Sequence, residues 1–301
     1  MIDFENPSTL TIPGFKKHEE IWGGCYPPNK ISSLEWYKKF EDKIETQMTK
    51  KEFFPLFRLS DGEFIFLLGR KFKQYSLFKK IYYFLHHIKR SIYYGSTFYS
   101  SGRKGYCETY SYFSLKKLRK QFINQLRDLS NHGVVCPNFS PHILTEPYQY
   151  DFLNVIKKNN IFLNENNYFQ FYFVPGYFMG QKIHQVYRNK RILIFTSDIK
   201  KRNENLKDNL IKFGAKKVEF YKTSLNTPLL DIIDLNKIQD QPDLIFIGAG
   251  VGSANILSQI KNLKCISIDS GFIVDALSDF NLAKKRPYYV NDYYQNKIDW
   301  F

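Results

Sequence analysis

Apolar positions along the chain change period several times, and each change marks an element. Tyr37, Phe40, Ile44 and Met48 recur at helical spacing behind Ser32-Ser33-Leu34-Glu35, a capping-box pattern that predicts a helix opening there. Phe53-Phe54-Pro55-Leu56-Phe57 is a short continuous apolar run, which predicts a buried strand. A helix is expected from about Ser76 to Arg90, followed by a loop-rich stretch around Gly95, Gly102 and Gly105. Ser114 is expected to cap another helix, with Leu115, Leu118, Phe122, Leu126 and Leu129 inward and a stop at Asn131-His132-Gly133. Val134-Val135-Cys136 then reads as a strand.

The second half is more regular. Arg191 to Phe195, Lys217 to Tyr221, Asp243 to Ile247 and Cys265 to Asp269 are four short strand-like runs. Helices are expected between them, from Asn203 to Phe213 and from about Ser253 to Leu263. This alternation predicts an α/β fold, a Rossmann-like, mostly parallel sheet with helices on both faces. Ligands of such sheets sit beyond the carboxyl ends of the strands. Those ends carry Thr196-Ser197-Asp198, Lys222 through Asn226, Gly248-Ala249-Gly250 and Asp269-Ser270-Gly271.

Composition narrows the class. With 301 residues, 43% of them apolar and 24% charged, the chain can bury a large core. Residues 1–30 hold four prolines and read as an irregular lead-in. Residues 31–301 read as a single α/β domain: an N-terminal part (31–189), a nucleotide-binding-like part (190–280) and a tail (281–301). No apolar stretch approaches the roughly 20 residues of a membrane span, and the start lacks a secretory pattern, so a cytoplasmic protein is expected. Four well-separated cysteines form no C-x-x-C pair.

The formal charge of +15 is unevenly placed: from Arg70 to Arg127 there are 14 Lys and Arg against one acid, Glu108. Interleaved with Tyr82, Tyr83, Phe84, Tyr93 and Tyr94, this segment reads as a helical basic insertion. It suits an anionic membrane surface, a phosphorylated acceptor or nucleic acid, and equally the solvated faces of ordinary helices.

Two motifs carry candidate chemistry. Arg58-Leu59-Ser60-Asp61-Gly62-Glu63 places an Asp-x-Glu pair and an arginine beside a buried strand, with Gly62 expected to turn the backbone so that both carboxylates meet one hard cation. The plainer alternative is a turn, or a cap for the helix starting at Phe64. Gly248-Ala249-Gly250-Val251-Gly252 follows a strand and opens a helix, with Asp269 about 20 residues on. This suits an NAD or S-adenosylmethionine enzyme, although Ser253 stands where the dinucleotide fingerprint has its third glycine. A generic phosphate-binding or tight-packing turn fits better. The histidines are isolated, or adjacent as His86-His87, and no G-x-S-x-G elbow or Walker element is present.

The order of these pieces resembles bacterial glycosyltransferases of the GT-D fold, which carry R-F-G-D-G-E where this chain has Arg58 through Glu63, and an Ile-Asp-x-Gly stretch near the C-terminus, here Ile268-Asp269-Ser270-Gly271. The resemblance spans roughly residues 50 to 280. It implies that Asp61 and Glu63 engage Mn²⁺ or Mg²⁺ and that the metal holds the diphosphate of a nucleotide sugar. On that reading Arg58 is expected to contact the diphosphate, and Ser224, Asn226, Gly248, Gly250 and Gly252, by their place at strand ends, to line the nucleotide pocket, with Asp269 a candidate base. The acceptor would be a glycan, glycolipid or glycoprotein at the inner membrane face; a nucleic-acid partner is the alternative use of the basic segment. The family's Ile-Asp-x-Gly stretch commonly continues with histidine, whereas Phe272 follows here.

Overall fold

The computed structural model describes residues 2–13, 24–68, 78, 81, 112–141, 145–197, 200–279 and 281. Most of the basic segment and the expected helix at 76–90 therefore lie outside the described residues. Six strands form one sheet: β1 (Phe54–Leu59), β2 (Val134–Pro137), β3 (Arg191–Thr196), β4 (Lys217–Lys222), β5 (Leu244–Gly248) and β6 (Ile266–Asp269). Their order is β2-β1-β6-β5-β3-β4, and every pairing is parallel. β1, β2 and β6 are buried along their whole length, as continuous apolar runs in a parallel sheet should be. β4, at one edge, is the exception; Val218 is buried while Lys217, Glu219 and Lys222 reach outward.

Parallel neighbours need right-handed crossovers, so the direction of each step decides which face its helix covers. The steps β1 to β2 and β5 to β6 run the same way, placing α3 (Tyr112–His132) and α8 (Ser253–Gln259) together on one face. β3 to β4 runs the opposite way. Its crossover helix α7 (Lys200–Lys212) packs on the other face against α9 (Ile273–Ser278), with Asn209 Nδ2 donating to the Leu277 carbonyl at 2.8 Å. The remaining helices are α1 (Ser33–Lys50), α2 (Asp61–Leu68), α4 (Glu146–Lys158), α5 (Phe173–Phe178) and α6 (Ile183–Tyr187). Ser32 caps α1 as its sequence predicts, accepting from the Glu35 N–H at 3.1 Å.

Three local expectations change. β1 runs two residues further than its apolar run, so Arg58 is a strand residue and not the lip of a turn. Gly62 is not at a bend: it lies in the first turn of α2 with ordinary backbone angles, because Ser60 already ends the strand and accepts the first helical hydrogen bond, from Phe64 N–H at 3.0 Å. The helix after the glycine-rich turn stops at Gln259 and gives way to a 3₁₀ turn at Lys261–Leu263.

Aromatic packing fixes the elements that matter for function. Phe64 on α2 is fully buried, its ring 5.0 Å from Phe152 and 6.1 Å from both Phe139 and Tyr148. The lead-in folds onto the same region: Phe4 packs edge-on against Tyr26 and Phe139, and Ser8 pairs with Cys25. Among the described residues no helix is long and apolar enough to cross a membrane. Phe64→Ala should cost about 3–5 kcal/mol in urea unfolding, as expected for a large cavity under α2; a loss below 1 kcal/mol would show that α2 is not anchored by this ring.

Candidate active site at the carboxyl ends of the strands

The site starts from a local rule about helix N-termini. Ser60-Asp61-Gly62-Glu63 is a capping-box sequence, and Glu63 folds back to accept the Ser60 N–H at 2.9 Å. Ser60 Oγ donates to Asp61 Oδ1 at 3.2 Å. Residues two apart on a helix normally face away from each other. Here both carboxylates meet around Ser60, Glu63 buried and Asp61 half-buried at the rim. The capping reading of this motif is thus observed, with Ser60 and Glu63 in the roles considered for Asp61.

The sheet then brings a distant residue alongside. β6 lies next to β1, and Asp269 at its end is 4% exposed, close enough to Glu63 for the two carboxylates to repel. Burial, reinforced by Asp269 and then Asp61, pushes Glu63 up to about 8. Asp269 is raised to about 6 by burial, held down in part by the Arg58 guanidinium. Arg58 itself is turned inward. Its Nε donates to the Asp269 carbonyl at 2.6 Å and its Nη2 to the Ser270 carbonyl at 2.7 Å, while Nη1 is buried without a partner. The Phe171 and Phe272 rings lie 4.5 and 5.5 Å from the guanidinium carbon. Gly271, at φ 47°, leaves room for Nη2 where any Cβ would collide with it.

Further polar groups, not singled out in the sequence, ring this cluster. Asn138, just past β2, donates from Nδ2 to Tyr172 Oη at 3.3 Å and toward Ser60 Oγ at 3.5 Å, and its Oδ1 is buried without a partner. The Ser270 hydroxyl is likewise buried and unpaired, while the buried Ser253 hydroxyl lies against the Asp269 carboxylate and favours its charged form. Only the Ser-x-x-Glu spacing at Ser60 could have been read beforehand; the others are joined by strand order alone.

The Gly250–Gly252 turn packs against α2 and leads into Ser253 beside Asp269. Gly250 takes φ 54°, and Gly252 presses its Cα against Pro228, so this turn serves close packing; α8 behind it has only seven residues. Ser224 is engaged by Asp231, donating from its backbone N at 2.8 Å and from its hydroxyl. Asn226 is exposed, and Gly248 ends β5. A surface groove of about 420 Å³, lined by Lys117, Lys120, Gln121, Asn124, Gln125, Asp128 and Ser258, shares none of the carboxylate residues.

Among the described residues no three His, Cys, Asp or Glu side chains converge as a chelating group. Two carboxylates completed by substrate phosphate oxygens are nevertheless what Mg²⁺ or Mn²⁺ usually takes, and buried Glu63 with half-buried Asp61 fits that donor set once Glu63 gives up its proton to the metal.

Because Glu63 is raised in the folded state, its contribution is fully present below its unfolded value of 4.5 and is lost as pH rises toward about 8. Wild-type protein should therefore lose Tm between pH 5 and 8, and Glu63→Gln, which keeps the Ser60 bond but carries no charge, should flatten that decline. Parallel melting curves for the two would contradict the carboxylate pairing. Gly271→Ala should cost at least about 2 kcal/mol in urea unfolding, from left-handed backbone and collision with Arg58. No family model, no curated protein and no solved structure matches the chain, so its site is read from geometry alone.

Proposed function

We propose that the chain is a metal-dependent glycosyltransferase of GT-D type that moves a sugar from a nucleoside diphosphate donor to a glycan, glycolipid or glycoprotein acceptor. One observation supports this above the others: the Glu63 and Asp269 carboxyl groups are buried together beside Asp61 and raise the proton affinity of Glu63, so a divalent cation would take the place of the proton that Glu63 otherwise holds. Asp61 and Glu63 would hold Mn²⁺ or Mg²⁺, which when bound would neutralise charge developing on the departing diphosphate.

The chain's own groups complete the reading. Arg58 acts on the site by fixing the Asp269-Ser270 turn, and its free Nη1 is the part left for a phosphate oxygen. Asp269 is the candidate base for the acceptor hydroxyl. Asn138 and Ser60 hold the rim on which Asp61 sits. The basic segment from Arg70 to Arg127 would draw the protein to an anionic membrane where lipid-linked acceptors reside, with the enzyme on the cytoplasmic side.

UDP with Mn²⁺ should raise Tm, and Asp61→Ala/Glu63→Ala should abolish that rise and lower Mn²⁺-dependent donor hydrolysis at least about 100-fold. Stabilisation by S-adenosylmethionine or NAD, or hydrolysis that survives the double substitution, would overturn the reading. Tight, steeply salt-dependent binding to DNA or RNA would favour a nucleic-acid protein instead.

A further inference from the structure

On the face of the sheet covered by α3 and α8, the two helices pack together and leave the groove of about 420 Å³ between them. Lys117, Lys120, Asn124 and Asp128 follow one another along it at helical spacing on α3, and Ser258 lines it from α8. Gln125 forms its floor.

That floor carries a polar atom that the fold does not answer. Asn255 on α8 is oriented by two carbonyls, its Nδ2 donating to Pro228 at 3.3 Å and to Asp231 at 2.8 Å. Its Oδ1 therefore turns to α3, where it accepts from Gln125 Nε2 at 3.3 Å and Gln121 Nε2 at 3.4 Å. Gln125 has to present its amide nitrogen to Asn255, which leaves its carbonyl oxygen over: Oε1 is buried without a partner, on a residue 9% exposed. A buried acceptor with no donor is destabilising, so what this groove lacks is an O–H or N–H from outside the chain.

The charges along the groove narrow the ligand further. Asp128 is paired with Lys261 and lies 3.6 Å from His132 Nδ1, so its charge is answered. Lys117 and Lys120 are exposed and have no ion pair among the described residues. Two ammonium groups thus stand roughly 7 Å along the α3 axis from the Gln125 acceptor. Ser258 Oγ donates to the Asn255 carbonyl at 2.8 Å and can itself accept a hydrogen bond. A ligand that meets both ends carries an anionic group and, one ring away, hydroxyls. Inorganic phosphate alone is too short, a neutral sugar leaves the lysines unused, and a groove of this volume with a buried acceptor suits a small molecule better than a nucleic-acid strand. We propose that the groove between α3 and α8 is a second ligand site that takes a monosaccharide phosphate, its phosphate on Lys117 and Lys120 and its hydroxyls donating to Gln125 Oε1 and Ser258 Oγ. The site shares no residue with the carboxylate cluster and does not rest on the transferase reading.

Ligand-detected NMR titrations of the full chain without divalent metal test this, with the 1- and 6-phosphates of glucose, galactose, mannose and N-acetylglucosamine as probes. The best of them should bind at least about tenfold more tightly than either the free sugar or inorganic phosphate, the weight of one hydrogen bond. Lys117→Gln/Lys120→Gln, at two exposed positions, should lose at least about tenfold, and Asn124→Trp, also exposed, should fill the groove and abolish binding. Gln125→Met should bring the sugar phosphate down to the level of inorganic phosphate; should that variant not fold, Asn124→Trp decides alone. Asp61→Ala/Glu63→Ala should bind as wild type. Absence of binding by every sugar phosphate, or equal binding of inorganic phosphate, would overturn the site. Binding lost in Asp61→Ala/Glu63→Ala but kept in Lys117→Gln/Lys120→Gln and Asn124→Trp would overturn it too, by moving the ligand to the carboxylates. If only a single-stranded RNA oligomer binds, and Lys117→Gln/Lys120→Gln releases it, the groove is a nucleic-acid surface instead.

Discussion

A guanidinium buried at the carboxyl end of a central strand must find acceptors, and Arg58 finds them in the carbonyls of Asp269 and Ser270. That pair of bonds, across the junction of β1 and β6, is the constraint on which the rest of the site depends. It sets the path of the chain out of β6, requires glycine at 271, and places the Asp269 carboxylate where Glu63 already lies. Phe171 and Phe272 close over the guanidinium and exclude water, which strengthens every electrostatic interaction inside. Phe272, where histidine is common in the family this chain resembles, contributes an aromatic face in place of a titratable ring.

The capping box and the acid pair are two uses of one residue. Glu63 satisfies an orphan N–H at the start of α2, a purely structural duty, and in doing so its carboxylate is buried beside a second one. The helix N-terminus partly compensates that burial, since backbone N–H groups favour a negative charge there. What it does not compensate is the loss of water around the carboxylate, to which repulsion from Asp269 adds, and the elevated proton affinity of Glu63 reflects both.

Local pattern in the sequence was enough to find most of the sheet. Each strand except the edge strand β4 is a short, mainly apolar run, because a parallel strand covered on both faces has no polar alternation to hide it, and the boundaries shift by only one or two residues. The stretch from Tyr168 to Tyr187 was less legible: α5 and α6 are short, and the aromatics from Tyr168 to Phe178 are buried, which leaves no amphipathic period to read. Strand order was beyond reach for a different reason. The contact between Arg58 and Asp269 spans 211 positions and leaves no local trace. The Asp-x-Glu motif was visible, but its partner in the fold, Asp269, carried only the general weight of a strand end.

The position of β1 in the sheet also has a temporal side. One flank of β1 pairs with β2, which follows within 80 residues, but its other flank belongs to β6, the last strand among the described residues. At about 5–20 residues per second, the roughly 200 residues separating them take about 10–40 s to emerge from a ribosome. For that interval a strand whose other five residues are apolar has an open hydrogen-bonding flank, and the guanidinium of Arg58 has no carbonyls to receive it. The nascent N-terminal half is therefore an aggregation-prone species by construction, and the arrival of the Ile268-Asp269-Ser270 segment closes the sheet and assembles the acidic cluster in the same step.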